Sequence, residues 1–368
     1  MDIYVRDTDF NRIGIVDTIE SIIWTDRYQG YGSFELYTSF TPELLTLLLP
    51  DRYLNIKDSD RTMIVESVEI KTDAEKGNKF IVRGRDLLSI LDRRLIFQRQ
   101  IYDNVQVQDV VWDILFKNGI DSPGQPQRNI PGLTFVYNED PNITTPTMTA
   151  EYYTEEVYET IRFLCERTGF GYKMILSNTN AFEFSLYLGV DRSYAQSTNP
   201  FVVFSPTFDN LISSDYFYSK QTKKTIALIS GDAYNPPRPT FDFDPWENDP
   251  NDPHYPTIRT GLERRELFVD APDLSKIDPN TNQPFSSPIY VQMMYERARQ
   301  SLNENVAYDQ FSGEASTTFG YKYGVDFLLG DIVQLEDMFG NTGRVRITEM
   351  TISENNSGIF ALPTYEKV

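Results

Sequence analysis

A weak repeat links the two ends of this chain, and it constrains the fold more than any other feature. In the first half, Leu54 and Ile56 alternate before a polar loop and the run Val65-Glu66-Ser67-Val68-Glu69-Ile70. Phe80-Ile81-Val82 follows after a hairpin. Near the other end, Val333 and Leu335 alternate before the loop Asp337-Met338-Phe339-Gly340-Asn341. Ile347-Thr348-Glu349-Met350-Thr351-Ile352 comes next, then a hairpin and Ile359-Phe360-Ala361. Order and side-chain phase match, and only the loop lengths differ. Strand side chains alternate with period two, so a shared phase implies the same buried face in both copies. The repeat predicts two similar small β-barrels, far apart in the sequence.

The flanking sequence fits that expectation. Alternating or apolar runs at 3–5, 12–16, 21–25, 32–37, 53–56, 63–70 and 79–83 read as antiparallel strands, with a short helix at 44–49 ended by Pro50. The polar segment 73–78 reads as a hairpin loop. From Asp86 the spacing changes to helical, with Leu87, Leu88, Ile90, Leu91 and Leu95 on one stripe. A second helix is predicted from Val107 to Phe116, and a Pro- and Asn-rich loop from 121 to 148. Thr154-Glu155-Glu156-Val157 has the form of a capping box for a third helix that ends at Gly169. Strands are predicted at 171–176, 181–188, 201–204, 211–218, 225–230 and 264–269, a proline-rich acidic loop at 235–256 and a helix at 289–302.

The fold class expected is therefore mainly β with α+β insertions: two tube-forming barrels plus peripheral α+β domains. The domain division is 1–104 for the first barrel and 105–200 for a peripheral α+β domain. Residues 201–368 form the second barrel, with a loop and helix insertion around 235–315. Three such chains around one axis would make a ring of six similar units, a recipe for adapting a six-fold tube to a three-fold tip.

Composition narrows the function. The chain has 368 residues, 34 basic against 54 acidic, and a net charge of −20. Binding nucleic acid by phosphate neutralisation needs clustered Lys and Arg, which this balance does not supply. The acidity either keeps the protein soluble or lines a passage through which nucleic acid slides without sticking. Aromatic residues make up 14%, with 24 Phe and 23 Tyr, which favours strands and contact surfaces. A single cysteine, Cys165, rules out an internal disulfide and is compatible with a reducing cytosol. The charged, alternating N-terminus is not a signal peptide, and no run approaches the length of a membrane span, so no membrane insertion is expected.

Four stretches then matter together. They are Trp24-x-x-Arg27-Tyr28 with Gly32-x-Phe34-Glu35-Leu36, and Val82-x-Gly84-Arg85-x-Leu87-Leu88-x-Ile90-Leu91-x-Arg93-Arg94. The others are Gly261-Leu262-Glu263-Arg264-Arg265-Glu266-Leu267-Phe268-Val269-Asp270-Ala271 and Tyr321-Lys322-x-Gly324-Val325-Asp326-Phe327-x-Leu329-Gly330-Asp331. In order and spacing the chain resembles siphophage tail proteins related to the baseplate hub of contractile phages. The resemblance covers nearly the whole chain and rests on the ordered set rather than on one motif. It implies a homotrimeric hub in the virion tail tip or baseplate, assembled in the host cytoplasm. Its expected partners are the distal tail protein ring, the tape-measure protein and downstream tail-tip or receptor-binding proteins, with DNA only in transit through the lumen. Relatives often carry a C-terminal lytic or receptor-binding extension, which is not expected in a chain that stops at Val368.

In this reading Arg85, Arg93, Arg94, Arg264 and Arg265 are interface candidates, able to pair with the surplus carboxylates within or between subunits. Ordinary surface solvation serves equally well for the helical arginines. Gly84, Gly324 and Gly330 are expected at turns or bulges, and Trp24 in a core.

No catalytic residues and no cofactor are predicted. The single histidine, His254, sits in the Pro- and Asp-rich loop, no nucleophile elbow is present, and one His with one Cys makes no usual zinc site. The acidic set Asp242, Asp244, Glu247 and Asp249 is a weak calcium candidate that lacks the spacing of a calcium hand. With 54 acids a paired-carboxylate glycosidase stays open. The alternative function is a carbohydrate-binding or wall-polysaccharide-hydrolysing tail-tip module, motivated by the aromatic loop from Trp246 to Tyr255.

Overall fold

The N-terminal strands form where the alternation places them. The computed structural model describes the whole chain apart from residues 74–76, 233–236, 279–280, 316–319 and 339–341. The first strands are β1 (Ile3–Arg6), β2 (Arg12–Val16), β3 (Ser21–Arg27), β4 (Ser33–Ser39), β5 (Tyr53–Ile56), β6 (Thr62–Asp73) and β7 (Gly77–Asp86). Between β4 and β5 lies helix α1 (Pro42–Leu47), where the Thr41 hydroxyl accepts from Leu44 N and Pro42 fills a position that needs no donor. The expected loops at 73–78, 235–256 and 337–341 lie partly outside the described residues.

Beyond β7 the sequence expectation needs correction. Leu87–Arg93 is a 3-10 helix capped by the Asp86 carboxylate, not an α-helix, and Leu95 is exposed rather than on its stripe. Three-residue turns eclipse Leu87 with Ile90 and Leu88 with Leu91, which buries all four without an α-helical face. There follow β8 (Gln100–Gln106), helix α2 (Val107–Leu115), β9 (Leu133–Val136), α3 (Pro141–Thr144), β10 (Thr147–Tyr152), α4 (Val157–Thr168), β11 (Gly171–Leu176) and β12 (Phe182–Tyr187). The stretch 121–148 thus holds β9, α3 and the start of β10 instead of being one loop. The capping box does not form either. Thr154 N donates to Ile96 O and Val157 N to Arg94 O, so this backbone is spent on the 94–96 segment and α4 begins only at Val157. The helix ends as expected, with Gly169 left-handed at φ 73°.

The last part comprises β13 (Val203–Phe204), β14 (Leu211–Ser219), β15 (Ile226–Gly231), β16 (Thr240–Phe243), α5 (Pro245–Asn248), β17 (Glu266–Ala271), the small pair β18 (Ile277–Asp278) and β19 (Gln283–Pro284), α6 (Ser287–Asn303), β20 (Tyr308–Ala315), β21 (Ile332–Glu336), β22 (Thr342–Asn355) and β23 (Gly358–Lys367). The acidic stretch 235–256 is not wholly loop, because β16 pairs with β15 and places Phe243 opposite Ala227.

Among the described residues the two ends of the chain meet in one sheet of 13 strands, ordered β14-β20-β23-β22-β3-β4-β7-β6-β5-β1-β2, with β21 and β13 attached beside β22. Two similar small β-barrels were the expectation; among the described residues this path does not close. The reason lies in β22, whose 14 residues pair with β23 along one edge and serve two partners along the other. Its first part pairs with β21, and Glu349–Asn355 pair antiparallel with β3 of the other repeat. Among the described residues three apolar cores result. One unites Ile3, Val5, Trp24, Leu36 and Val82 with Phe204, Val333, Ile347 and Tyr365, so both repeats share it. A second fills the space between the 3-10 helix, α2, α4 and β9–β12. The third lies under β15–β17 and α6.

Candidate assembly site

A buried cluster of polar and charged groups lies where the two repeats and the helical unit meet. The segment from Trp24 to Gly32 makes this junction. Trp24 is fully buried, and its indole N–H donates to Asp26 Oδ1 at 3.0 Å. Asp26 Oδ2 accepts from the Ser59 hydroxyl at 2.7 Å. Arg61, buried below, donates to Arg27 O at 3.1 Å and stands 3.7 Å from Asp86 Oδ2. Asp86 also accepts from Gly32 N and Leu88 N. Burial pushes the Asp86 carboxyl up to about 7 and Asp26 up to about 6, against the pull of the Arg61 guanidinium on both.

The next residues bind the other units. Arg27 Nε donates to Glu349 at 2.6 Å, and the Thr25 and Thr351 hydroxyls bond at 3.1 Å, all across the seam between repeats. Tyr28 donates its hydroxyl to Gly169 O at 2.9 Å and accepts from Arg346 at 3.3 Å, while its amide donates to Thr348 O. Gln29 donates to Cys165 O and Phe170 O, each at 2.9 Å. A Cβ on Gly171 or Gly330 would stand 2.1 or 2.3 Å from the Tyr28 ring, so both glycines leave the slot this tyrosine fills. Asp331, next to Gly330, accepts from Val190 N and Leu328 N and pairs with Arg192 at 2.7 Å. Three of the four sequence stretches thus converge here, through Trp24–Gly32, Asp86 and Gly330-Asp331. Arg61 was not legible, because it follows the polar turn Asp58-Ser59-Asp60 and looks like surface.

The candidate arginines are placed apart. Arg85 pairs with Glu66 at 2.8 Å and Asp92 at 2.5 Å and lies over the Tyr31 ring. Arg264 pairs with Asp242 at 2.8 Å and Glu266 at 2.6 Å. Arg94 donates to Arg128 O and Arg265 to Lys220 O. Arg93 is exposed and, among the described residues, no ion pair engages it. Gly84 does sit at a bulge: β6 shifts register between Val65 and Ser67, and a Cβ on Gly84 would stand 1.7 Å from Ile64 O. Gly324 and Gly330 both have positive φ.

The acidic loop does not gather its carboxylates. Asp242 is held by Arg264, Asp244 caps α5 and accepts from Arg259, Asp249 pairs with Arg299, and Glu247 is exposed. Among the described residues no group of three His, Cys, Asp or Glu is placed to hold a metal ion. His254 stacks on Trp246 at 4.4 Å, and the buried Cys165 thiol has its pKa pushed well up by burial. No helix of the described residues is long and apolar enough to cross a membrane.

This architecture recurs in solved phage tail proteins. It is similar to the tail protein from Neisseria meningitidis MC58, with a TM-score of 0.57 and 13% identity over 99% of this chain and 96% of that one. The 43 kDa tail protein of prophage MuSo2 from Shewanella oneidensis gives 0.55 and 13% over 100% and 98%. Prophage tail protein gp18 from Listeria monocytogenes EGD-e gives 0.52 and 12% over 100% and 95%. At these identities the likeness is one of fold. The sequence itself matches the Siphovirus ReqiPepy6 Gp37-like protein family over residues 2–364, and the chain belongs to that family. No curated protein matches it.

Proposed function

We propose that this chain is a structural, non-catalytic subunit of a siphovirus tail tip, three copies of which form a ring of six similar units. Such a ring joins a six-fold tail tube to a three-fold tip and passes DNA and the tape-measure protein through its lumen. One observation carries the reading: the internal repeat extends to the backbone irregularities. β22 against β23 shifts register between Ile347 and Glu349, and β6 against β7 shifts between Val65 and Ser67, the positions that the sequence repeat aligns. Bulges are built features of strands, so a shared bulge supports two copies of one unit.

In this proposal residues 1–104 and 201–368 supply the two tube-forming units, with an insertion around 235–315, and 105–200 form the peripheral domain. The distal tail ring lies on one side and tip or receptor-binding proteins on the other. Arg93, exposed beside the helical unit, would face such a neighbour, and the surplus of acidic residues would keep DNA moving. The carbohydrate-module alternative has less support, because Trp246 is already covered by His254 and by Arg259 at 4.4 Å. Light scattering during size exclusion, with negative-stain images, tests the ring. Three chain masses and rings with a central hole are expected; a monomer at every concentration would refute it.

A further inference from the structure

The repeat also says which edges of neighbouring chains meet. One rung crosses each copy in the same way. Val65, Gly84, Phe34 and Trp24 are successive partners across β6, β7, β4 and β3. Ile347, Tyr365, Phe311 and Tyr216 are successive partners across β22, β23, β20 and β14. Hence β14 is the counterpart of β3, and β6 of β22. Within the chain β3 pairs with β22, from Arg27 opposite Glu349 to Ser21 opposite Asn355. The counterparts of these two partners are both open. Among the described residues β14 pairs with no strand but β20, and none lies beside Ser67–Asp73 on the side of β6 away from β7.

We infer that the β14 edge of one chain pairs antiparallel with Ser67–Asp73 of a second copy, repeating the internal β3–β22 seam between subunits. Transferring the register sets Ser219 opposite Ser67, Tyr218 opposite Val68 and Tyr216 opposite Ile70. Burial supports the transfer. At the internal seam Trp24 is 0% and Ile352 6% exposed, whereas their counterparts Tyr216 and Ile70 are 55% and 44% exposed. Ile212, Phe217 and Tyr218 add apolar surface along the same open strand. A long apolar strand edge with no other strand beside it is a hazard for a free protein but suits a strand that receives another. The contact is heterologous, one edge to a different edge, so it propagates around an axis and closes when the rotation allows. The pairing rests on the internal seam alone; only the number of copies rests on the ring proposed above.

The test is disulfide trapping in the full chain. Ile70→Cys with Tyr216→Cys should cross-link neighbours on mild oxidation and move most chains to covalent oligomers ending at the ring mass. Paired Cβ atoms across a ladder approach disulfide distance. Val68→Cys with Tyr218→Cys should do the same, and guards against one pair failing to fold or meeting badly. Ile70→Cys with Phe217→Cys, which the register turns to opposite faces, should not. Melting curves of the reduced variants confirm folding. Oligomers by light scattering without in-register cross-links would overturn the pairing and leave the ring standing; monomers without cross-links would overturn both.

Discussion

Replacing Arg61 with methionine should leave a pH signature that a simple loss of packing cannot produce. The side chain is fully buried, and its removal strands Asp26 and Asp86 without their shared cation. Breaking a buried pair in this way costs about 3–5 kcal/mol. The carboxyls can escape part of that cost by taking protons. Burial already raises them to about 6 and about 7 in the folded protein, from 3.8. The folded state therefore holds protons that the unfolded chain has released. Their contribution is full below the unfolded pKa and is lost as pH rises through the folded values. Without Arg61 both values move higher, so the loss extends further up the pH scale. Each carboxyl contributes a slope of up to about 1.4 kcal/mol per pH unit. Urea denaturation from about pH 5 to 8.5 should show the Arg61→Met substitution costing most at the alkaline end and progressively less toward pH 5. A cost that does not change with pH, or one under about 1 kcal/mol throughout, would refute the buried-triad account.

Other consequences follow from the same packing. Gly84→Ala should lower stability by about 3 kcal/mol or more, read as a fall in the urea midpoint, since its Cβ would meet the Ile64 carbonyl at 1.7 Å in the middle of the sheet. Trp24→Ala should cost about 3–5 kcal/mol by the same measurement, because the indole is fully buried and its N–H holds Asp26. Tyr28→Phe, which removes only the hydroxyl bonds to Gly169 O and Arg346, should cost about 1–2 kcal/mol in thermal or urea melts.

The sequence made some levels of this structure readable and hid others. Strands such as β3 and β4 were legible because Ile22, Trp24, Phe34 and Leu36 alternate with polar residues. Helix α4 was legible at its end, where Gly169 takes a left-handed conformation, but not at its start, where tertiary hydrogen bonds to Arg94 and Ile96 override the local capping signal. β8 and β10 escaped because polar Asp103, Asn104 and Gln106 blur the alternation of β8, and β10 begins inside the Pro- and Asn-rich stretch expected to be loop, although the ladder between them is regular apart from one bulge. β16 was masked by surrounding prolines, even though Phe241 and Phe243 alternate. The repeat was correct in order and phase, yet one strand was offset: the ladder matches Phe80 to Ala361, not Ile359, since the two hairpins differ in length. The described sheet does not close into the expected barrels for a different reason. Local alternation fixes which face is buried but not which strand supplies the partner, and here β22 takes β3 from the other repeat. The junction was invisible piecewise, because Asp26 comes from β3, Arg61 from the segment before β6 and Asp86 from the end of β7, and only the fold brings them together.

The most direct test of the central claim is an electron cryo-microscopy map of the tail tip in particles that carry this chain. The account predicts a ring of three copies in which β14 of each lies against Ser67–Asp73 of the next, with Tyr216 opposite Ile70. A tip with a single copy, or three copies whose β14 edges face solvent, would contradict it.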